Sequence, residues 1–236
     1  MYGICKSSTV CVRKEPSHDS ELVTELLFND LYQVIEDGKD WLKIKMNYDG
    51  YEGWISRKQH ADIQQVDYEE LKCKPYRVVN NPVEVYDGKF LTFGTTVFDN
   101  QNHNQNKKPE LNEMISNGLQ LLGVPYRWGG RTVFGIDCSG FVQLCAKSIG
   151  IKLPRDASQQ VKCGNDVYFL VEAQPGDLAF FENEEHHIVH VGIIIGGEKI
   201  LHASGNVRID HIDQTGIFNE ELGKHTHFLA AIKRIV

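Results

Sequence analysis

The spacing of apolar residues switches period along this chain, and that switch limits the possible folds more than any other feature. From Ser8 to Ser56 they alternate with polar residues in short pieces, Ser8–Arg13, Leu22–Leu27, Leu31–Glu36, Trp41–Met46 and Gly53–Ser56. Polar turns such as Pro16-Ser17-His18-Asp19 and Glu36-Asp37-Gly38-Lys39 separate them, which predicts a small all-β barrel over residues 1–60. From Glu110 the pattern becomes helical: Leu111, Met114, Ile115, Gly118, Leu119 and Leu122 share a face and Gly123 follows. Strand-like runs return at Asp177–Phe181, His190–Ile195, Lys199–Ala203 and Phe228–Arg234, so residues 110–236 are expected to form an α+β domain of helices and an antiparallel meander. Residues 61–109 are a connector. Pro75–Val85 and Lys89–Phe98 are expected strands, the remnant of a second barrel, and the polar run Asn100–Pro109 is expected to be a flexible linker.

The balance of 25 basic and 32 acidic residues leaves a formal charge of −7, with the basic residues scattered, which argues against a nucleic-acid partner. No apolar run approaches the roughly 18 residues of a membrane helix, and the amino terminus lacks the charged start and apolar stretch of a secretory signal. A soluble, cytoplasmic protein is expected, although a secreted or periplasmic form with its leader removed would look alike. The cysteines at 5, 11, 73, 138, 145 and 163 show no paired metal-ligand spacing and read as reduced thiols.

One of them carries chemistry. Cys138 follows the turn Phe134-Gly135-Ile136-Asp137 and precedes the helical run Phe141, Val142, Leu144, Cys145, Ile149, which ends at Gly150. Asp137 as N-cap and Gly150 as C′ residue would place the thiol on the first helical turn, where unpaired amides and the positive dipole end draw it toward thiolate. Cys145, two turns on, faces the core. Downstream, His190 to Ala203 reads as a hairpin with a glycine turn, and its two histidines are the candidate base and orienting group for a cysteine hydrolase. Facing His190 directly to His202 requires an odd-length loop, satisfied by a three-residue loop with glycine in the left-handed region; a two-residue Gly196-Gly197 turn would set the imidazoles on opposite faces. Glycine at 192 leaves room on the shared face. His186 and His187 with His190 invite a zinc reading, but no zinc signature of firm spacing is present, and no metal or other cofactor is expected.

The early segment, with Val12-Arg13, Ser20-Glu21-Leu22-Val23, Trp41-Leu42-Lys43-Ile44 and Tyr51-Glu52-Gly53-Trp54-Ile55, resembles a bacterial SH3-like domain. From about residue 110 onward, six ordered motifs resemble the NlpC family of bacterial cell-wall cysteine peptidases: Gly123-Val124-Pro125-Tyr126-Arg127-Trp128-Gly129-Gly130, Asp137-Cys138-Ser139-Gly140, Leu153-Pro154-Arg155-Asp156-Ala157, Pro175-Gly176-Asp177-Leu178, His190-Val191-Gly192-Ile193 and Ile200-Leu201-His202-Ala203. That resemblance implies a papain-like α+β fold with Cys138 as nucleophile, His190 as base, His202 as orienting residue and the Tyr126 hydroxyl as an oxyanion donor beside the Cys138 amide. An SH3-like barrel preceding such a domain resembles the subgroup that cleaves the γ-D-glutamyl to L-diamino-acid bond, lysine or diaminopimelate, in peptidoglycan stem peptides bearing a free amino-terminal L-alanine. The amine would need acidic or phenolic oxygens: Asp156 is the candidate in the peptidase domain, and the subgroup resemblance adds Tyr51 and Glu15 from the barrel. Asp137 is expected to cap its helix or touch substrate, and Arg155 or the Ser139 amide to hold the D-glutamate carboxylate. Two alternatives are a papain-like amidase or acyltransferase using the same triad, and a non-catalytic module that binds wall peptides.

Overall fold

A computed structural model describes residues 1–99 and 108–236, which divide into two compact units. Unit 1 comprises Met1–Lys108 with Trp128–Val133, and unit 2 comprises Pro109–Arg127 with Phe134–Val236. Most of the expected linker at Asn100–Pro109 lies outside the described residues. Among the described residues, no helix is long and apolar enough to cross a membrane.

In unit 1, alternation produces strands β1 (Tyr2–Ile4), β2 (Thr9–Arg13), β3 (Leu22–Leu27), β4 (Leu31–Asp37), β5 (Trp41–Met46), β6 (Glu52–Ser56) and β7 (Asp62–Ile63). They form one antiparallel sheet in the order β3-β2-β6-β5-β4-β1-β7, the SH3-like barrel, so the sheet runs past residue 60. Its inward positions, among them Val10, Val12, Leu26, Leu42, Ile44 and Ile55, form one buried cluster. Helix α1 (Gln65–Cys73) was not foreseen in the apolar pattern: Tyr68 is its one buried side chain, packed on Tyr2 with ring centroids 4.4 Å apart. The connector strands are β8 (Tyr76–Val78), β9 (Val83–Tyr86), β10 (Lys89–Thr92) and β11 (Thr96–Phe98), and they pair as two separate ladders, β9 with β10 and β8 with β11. Within the same unit the backbone amide of Arg131 donates to Glu25 Oε2 at 2.8 Å. Its guanidinium, fully buried, donates to the Glu25 carbonyl at 2.7 Å and pairs with Asp30 at 3.3 Å.

Unit 2 begins with α2 (Leu111–Leu119), followed by α3 (Cys138–Ser148) and the short α4 (Ala157–Gln160). Gly118 lets α2 approach closely: a Cβ there would meet Leu201, Cys145 and Phe141 atoms at 3.1 to 3.2 Å. After the two-residue strands β12 (Arg131–Thr132) and β13 (Gly135–Ile136), the sheet of unit 2 contains β14 (Asn165–Val167), β15 (Leu178–Glu182), β16 (Ile188–Gly196), β17 (Lys199–Ser204), β18 (Asn206–Ile212), β19 (Gly216–Asn219) and β20 (Lys224–Arg234). All of its pairings are antiparallel, and β19 pairs with β20, so the meander closes into a ring of six strands with β14 added at β20. One face of the sheet carries Val191, Ile193, Leu201 and Ala203, all buried, and α3 packs on β16 and β17. The other face lines the ring with Ala179, Phe181, Ile194, Ile200, Ile212, Ile217 and Ile232. His190, opposite Phe181, and His202, two residues from Ile200, sit on that inner face.

Candidate active site

Asp137 takes an extended backbone conformation and its carboxylate Oδ1 accepts from the Gly140 amide at 2.7 Å, capping α3; Gly150, with φ of 83°, ends it in the left-handed region. Cys138 is therefore the first helical residue, and its own amide has no carbonyl one turn back to bond. The thiol sits against the strand that carries His190: Sγ is 4.0 Å from the Val189 carbonyl oxygen, and the backbone amides of Val191 and Ser139 turn toward it.

The electrostatics differ from the thiolate expected of a helix terminus. Burial pushes the Cys138 thiol up to about 12, with the Asp137 carboxylate adding to the rise, and this outweighs the lowering by the two amides and Arg155. Burial also holds His190 well below its ordinary value, with His227 and His202 acting in the same direction. At rest the Cys138 thiol and the His190 imidazole are thus both uncharged. Alkylation of Cys138 by iodoacetamide is accordingly expected to rise about tenfold per unit between about pH 6 and about pH 9, since the thiolate fraction grows until pH nears the thiol's own value. A rate already level at neutral pH would indicate a preformed ion pair.

The hairpin brings the two histidines together by a route other than the three-residue loop. Its turn is the two-residue Gly197-Glu198, with φ of 60° and 57° at the two central positions, as a type I′ turn requires. A bulge at Ile195, between the pairs Ile194 with Ile200 and Gly196 with Lys199, restores the parity. His202 then lies opposite Gly192 rather than opposite His190, and the imidazoles meet on the diagonal with His190 Nε2 2.8 Å from His202 Nδ1. That contact engages Nε2 of His190 and not Nδ1. A Cβ at Gly192 would stand 2.8 Å from the His202 Cβ and from Ile200 Cδ1. Gly192→Ala is therefore expected to cost about 1–3 kcal/mol by overpacking and to slow turnover, read from urea unfolding and steady-state rates. Unchanged turnover would mean that the diagonal contact is dispensable.

Two neighbours of this pair escaped the sequence reading. Asp210 on β18, paired with Ile200, accepts from His202 Nε2 at 2.9 Å, and Arg208 Nη2 donates to its other oxygen at 2.8 Å. A Gly205 turn after β17, with φ of 72°, was the available sign of a further strand carrying it. His227 stacks on His190 with centroids 4.1 Å apart and planes 30° off parallel. Burial, then His202, brings His227 down to about 4, so it stays neutral against the His190 imidazole. By contrast, His186 and His187 are exposed and pair with Glu182 and Glu185.

Arg155 is not presented as a cation for a substrate carboxylate. It is buried, with Nη1 3.0 Å from Asp137 Oδ1, Nη2 2.5 Å from Asp137 Oδ2, and Nη1 donating to Ser139 Oγ at 2.8 Å. The guanidinium is spent on clasping the helix cap. Ser139 is held the same way, and its carbonyl accepts from Gln160 Nε2 at 3.0 Å. Tyr126 is half-buried, and burial together with the charges of Cys138 and Asp137 raises its phenol, which remains a hydrogen-bond donor. Asp156 is the half-buried N-cap residue of α4, its carbonyl accepting from the Gln159 and Gln160 amides. In unit 1, Tyr51 packs on the barrel core, and Glu15 stands in an exposed turn where its amide donates to Ser20 Oγ at 2.9 Å.

Residues 123–225 match the NlpC/P60 family, and residues 12–59 match the bacterial dipeptidyl-peptidase Sh3 domain. A gamma-D-glutamyl-L-lysine dipeptidyl-peptidase of Bacillus subtilis (strain 168) is 31% identical over 219 residues, covering 78% of this chain and 73% of its own. A protein of the same name from Bacillus cereus (strain ATCC 10987 / NRS 248) is 26% identical over 267 residues, covering 92% and 79%. The crystal structure of an NlpC/P60 family protein from Bacillus cereus ATCC 10987 shares the fold, with a TM-score of 0.79 at 20% identity, covering 100% of this chain and 99% of that one.

Proposed function

Since the chain belongs to the NlpC/P60 family and is a cysteine peptidase, we propose that it cuts the γ-D-glutamyl to L-diamino-acid bond of peptidoglycan stem peptides carrying a free amino-terminal L-alanine, during cytoplasmic recycling of wall fragments. The observation that carries the chemistry is the hydrogen-bonded His190–His202 pair, with His190 on the strand that touches a helix-terminal Cys138. The choice of bond is supported by the names of the two relatives and by the SH3 domain match.

In this reading Nδ1 of His190 takes the thiol proton as sulfur attacks the γ-carbonyl of D-glutamate, and the resulting imidazolium gives that proton to the departing amine. Water, activated by the same nitrogen, then releases the acyl group and regenerates the thiol. The charge on the tetrahedral oxygen is met by the Cys138 amide and the Tyr126 hydroxyl, both donors before the reaction starts. Asp156 takes the alanine ammonium, which would otherwise lose its water without a counter-charge.

The test compares the free tripeptide L-Ala-γ-D-Glu-L-Lys with its N-acetylated form. Acetylation is expected to lower kcat/KM by about 10²-fold or more, and Asp156→Asn to lower it for the free peptide in the same direction. Equal rates on the two peptides would overturn the requirement for a free amine and leave a general wall hydrolase.

A further inference from the structure

Among the described residues, the polar chain that begins at His190 does not stop at His202. It continues through Asp210 to Arg208, and Arg208 Nη1 lies 3.5 Å from the exposed Glu221. His202 and Asp210 are both buried, so the His190–His202 and His202–Asp210 contacts are made away from bulk water. We propose that Asp210, held by Arg208, is a positioning residue that fixes the tautomers of both histidines and so keeps the lone pair of His190 Nδ1 available to the thiol. The proposal rests on the reading of His190 as the base.

The argument follows from what each group can donate. A carboxylate only accepts, and Asp210 is kept as one: burial alone would raise it, but hydrogen bonds from His202 and Arg208 bring it below the usual carboxylate range. The His202 nitrogen facing it, Nε2, must then carry a hydrogen. In a neutral imidazole the other nitrogen, Nδ1, has only a lone pair, and at 2.8 Å from His190 Nε2 it must accept. His190 therefore carries its hydrogen on Nε2, and Nδ1 is the basic nitrogen. Were His202 turned to its other tautomer, its Nδ1–H would point at His190 Nε2 and move the His190 hydrogen onto Nδ1, where it would face Cys138 in place of a lone pair. The proton passes from Cys138 to His190 Nδ1 and on to the leaving amine, and neither His202 nor Asp210 gains or loses one. His227 faces the same ring from β20 and Arg208 faces Asp210 along β18, so one neutral and one cationic neighbour complete the surroundings.

Asp210→Asn presents an amide in place of the carboxylate. Arg208 draws the amide oxygen, which leaves the NH2 to donate to His202 Nε2 and forces the unproductive tautomer. Long-range proton–nitrogen spectra of histidine-labelled protein are expected to show Nε2–H on both His190 and His202 in the resting wild type, and Nδ1–H on His202 in Asp210→Asn. The kcat for the tripeptide should fall about 10²-fold with KM nearly unchanged. Asp210→Glu, which still only accepts, should keep both Nε2–H tautomers and more of the rate than Asn. Wild-type spectra with Nδ1–H on His202, or Asp210→Asn with wild-type tautomers or wild-type kcat, would overturn the proposal. If Asp210→Asn does not fold, the wild-type and Asp210→Glu spectra decide. Because the spectra need no substrate, a protein with the expected tautomers that fails to cut the tripeptide would count against the proposed substrate and leave this inference standing.

Discussion

Replacing Cys138 with alanine is expected to reduce tripeptide turnover by about 10⁴-fold or more while leaving the fold intact. The helix does not depend on the sulfur, because its amino terminus is capped by the Asp137 carboxylate and its end by Gly150. Deleting one small buried atom costs on the order of 1 kcal/mol, so thermal unfolding should move by only a few degrees. Cys138→Ser should fail as well, since an unactivated hydroxyl is a poorer nucleophile in the same place. The paired measurement is steady-state turnover with a melting curve for each variant. Retention of a substantial rate in a folded alanine variant would exclude covalent catalysis by this residue.

The second large effect is on stability. Arg155→Ala should destabilise unit 2 by about 3–5 kcal/mol, because it leaves the Asp137 carboxylate buried without its bidentate partner. Both groups are almost wholly enclosed, and the same guanidinium also holds Ser139 Oγ. Asp137→Asn combined with Arg155→Ala should recover part of the loss, as the uncompensated charge is then gone. Urea unfolding of the two single variants and the double variant tests this. If Arg155→Ala were as stable as wild type and lost only affinity for substrate, the guanidinium would return to the carboxylate-binding role that its position in Leu153-Pro154-Arg155-Asp156 suggests.

What the sequence revealed depended on whether the determinant was local. Barrel strands β2–β6 follow alternation with turn residues between, and α3 follows a cap, an apolar stripe and a closing glycine, so these were readable within a dozen residues, while the short β1 and β7 were not. Helix α1 was hidden because its stripe is a single tyrosine. The closure of β19 on β20 and the presence of Asp210 behind His202 depend on pairings between segments whose own apolar patterns are short. The hairpin shows the boundary between these cases. Parity demanded a compensating extra residue, and one is present, but its place inside β16 at Ile195 rather than in the loop shifts the register by two residues. His227 lies just before the strand-like run Phe228–Arg234, and only the ring's closure sets its imidazole on His190. The tendency of Cys138 toward thiolate was inferred from its helix position, whereas enclosure by the sheet and the cap's own charge act more strongly in the opposite direction.

The most direct measurement is the product pattern from L-Ala-γ-D-Glu-L-Lys by mass spectrometry, with the Cys138→Ala protein as control. Release of free lysine and the dipeptide L-Ala-γ-D-Glu by the wild type alone is the predicted result. An intact tripeptide, or cleavage between alanine and D-glutamate, would contradict the proposed bond specificity.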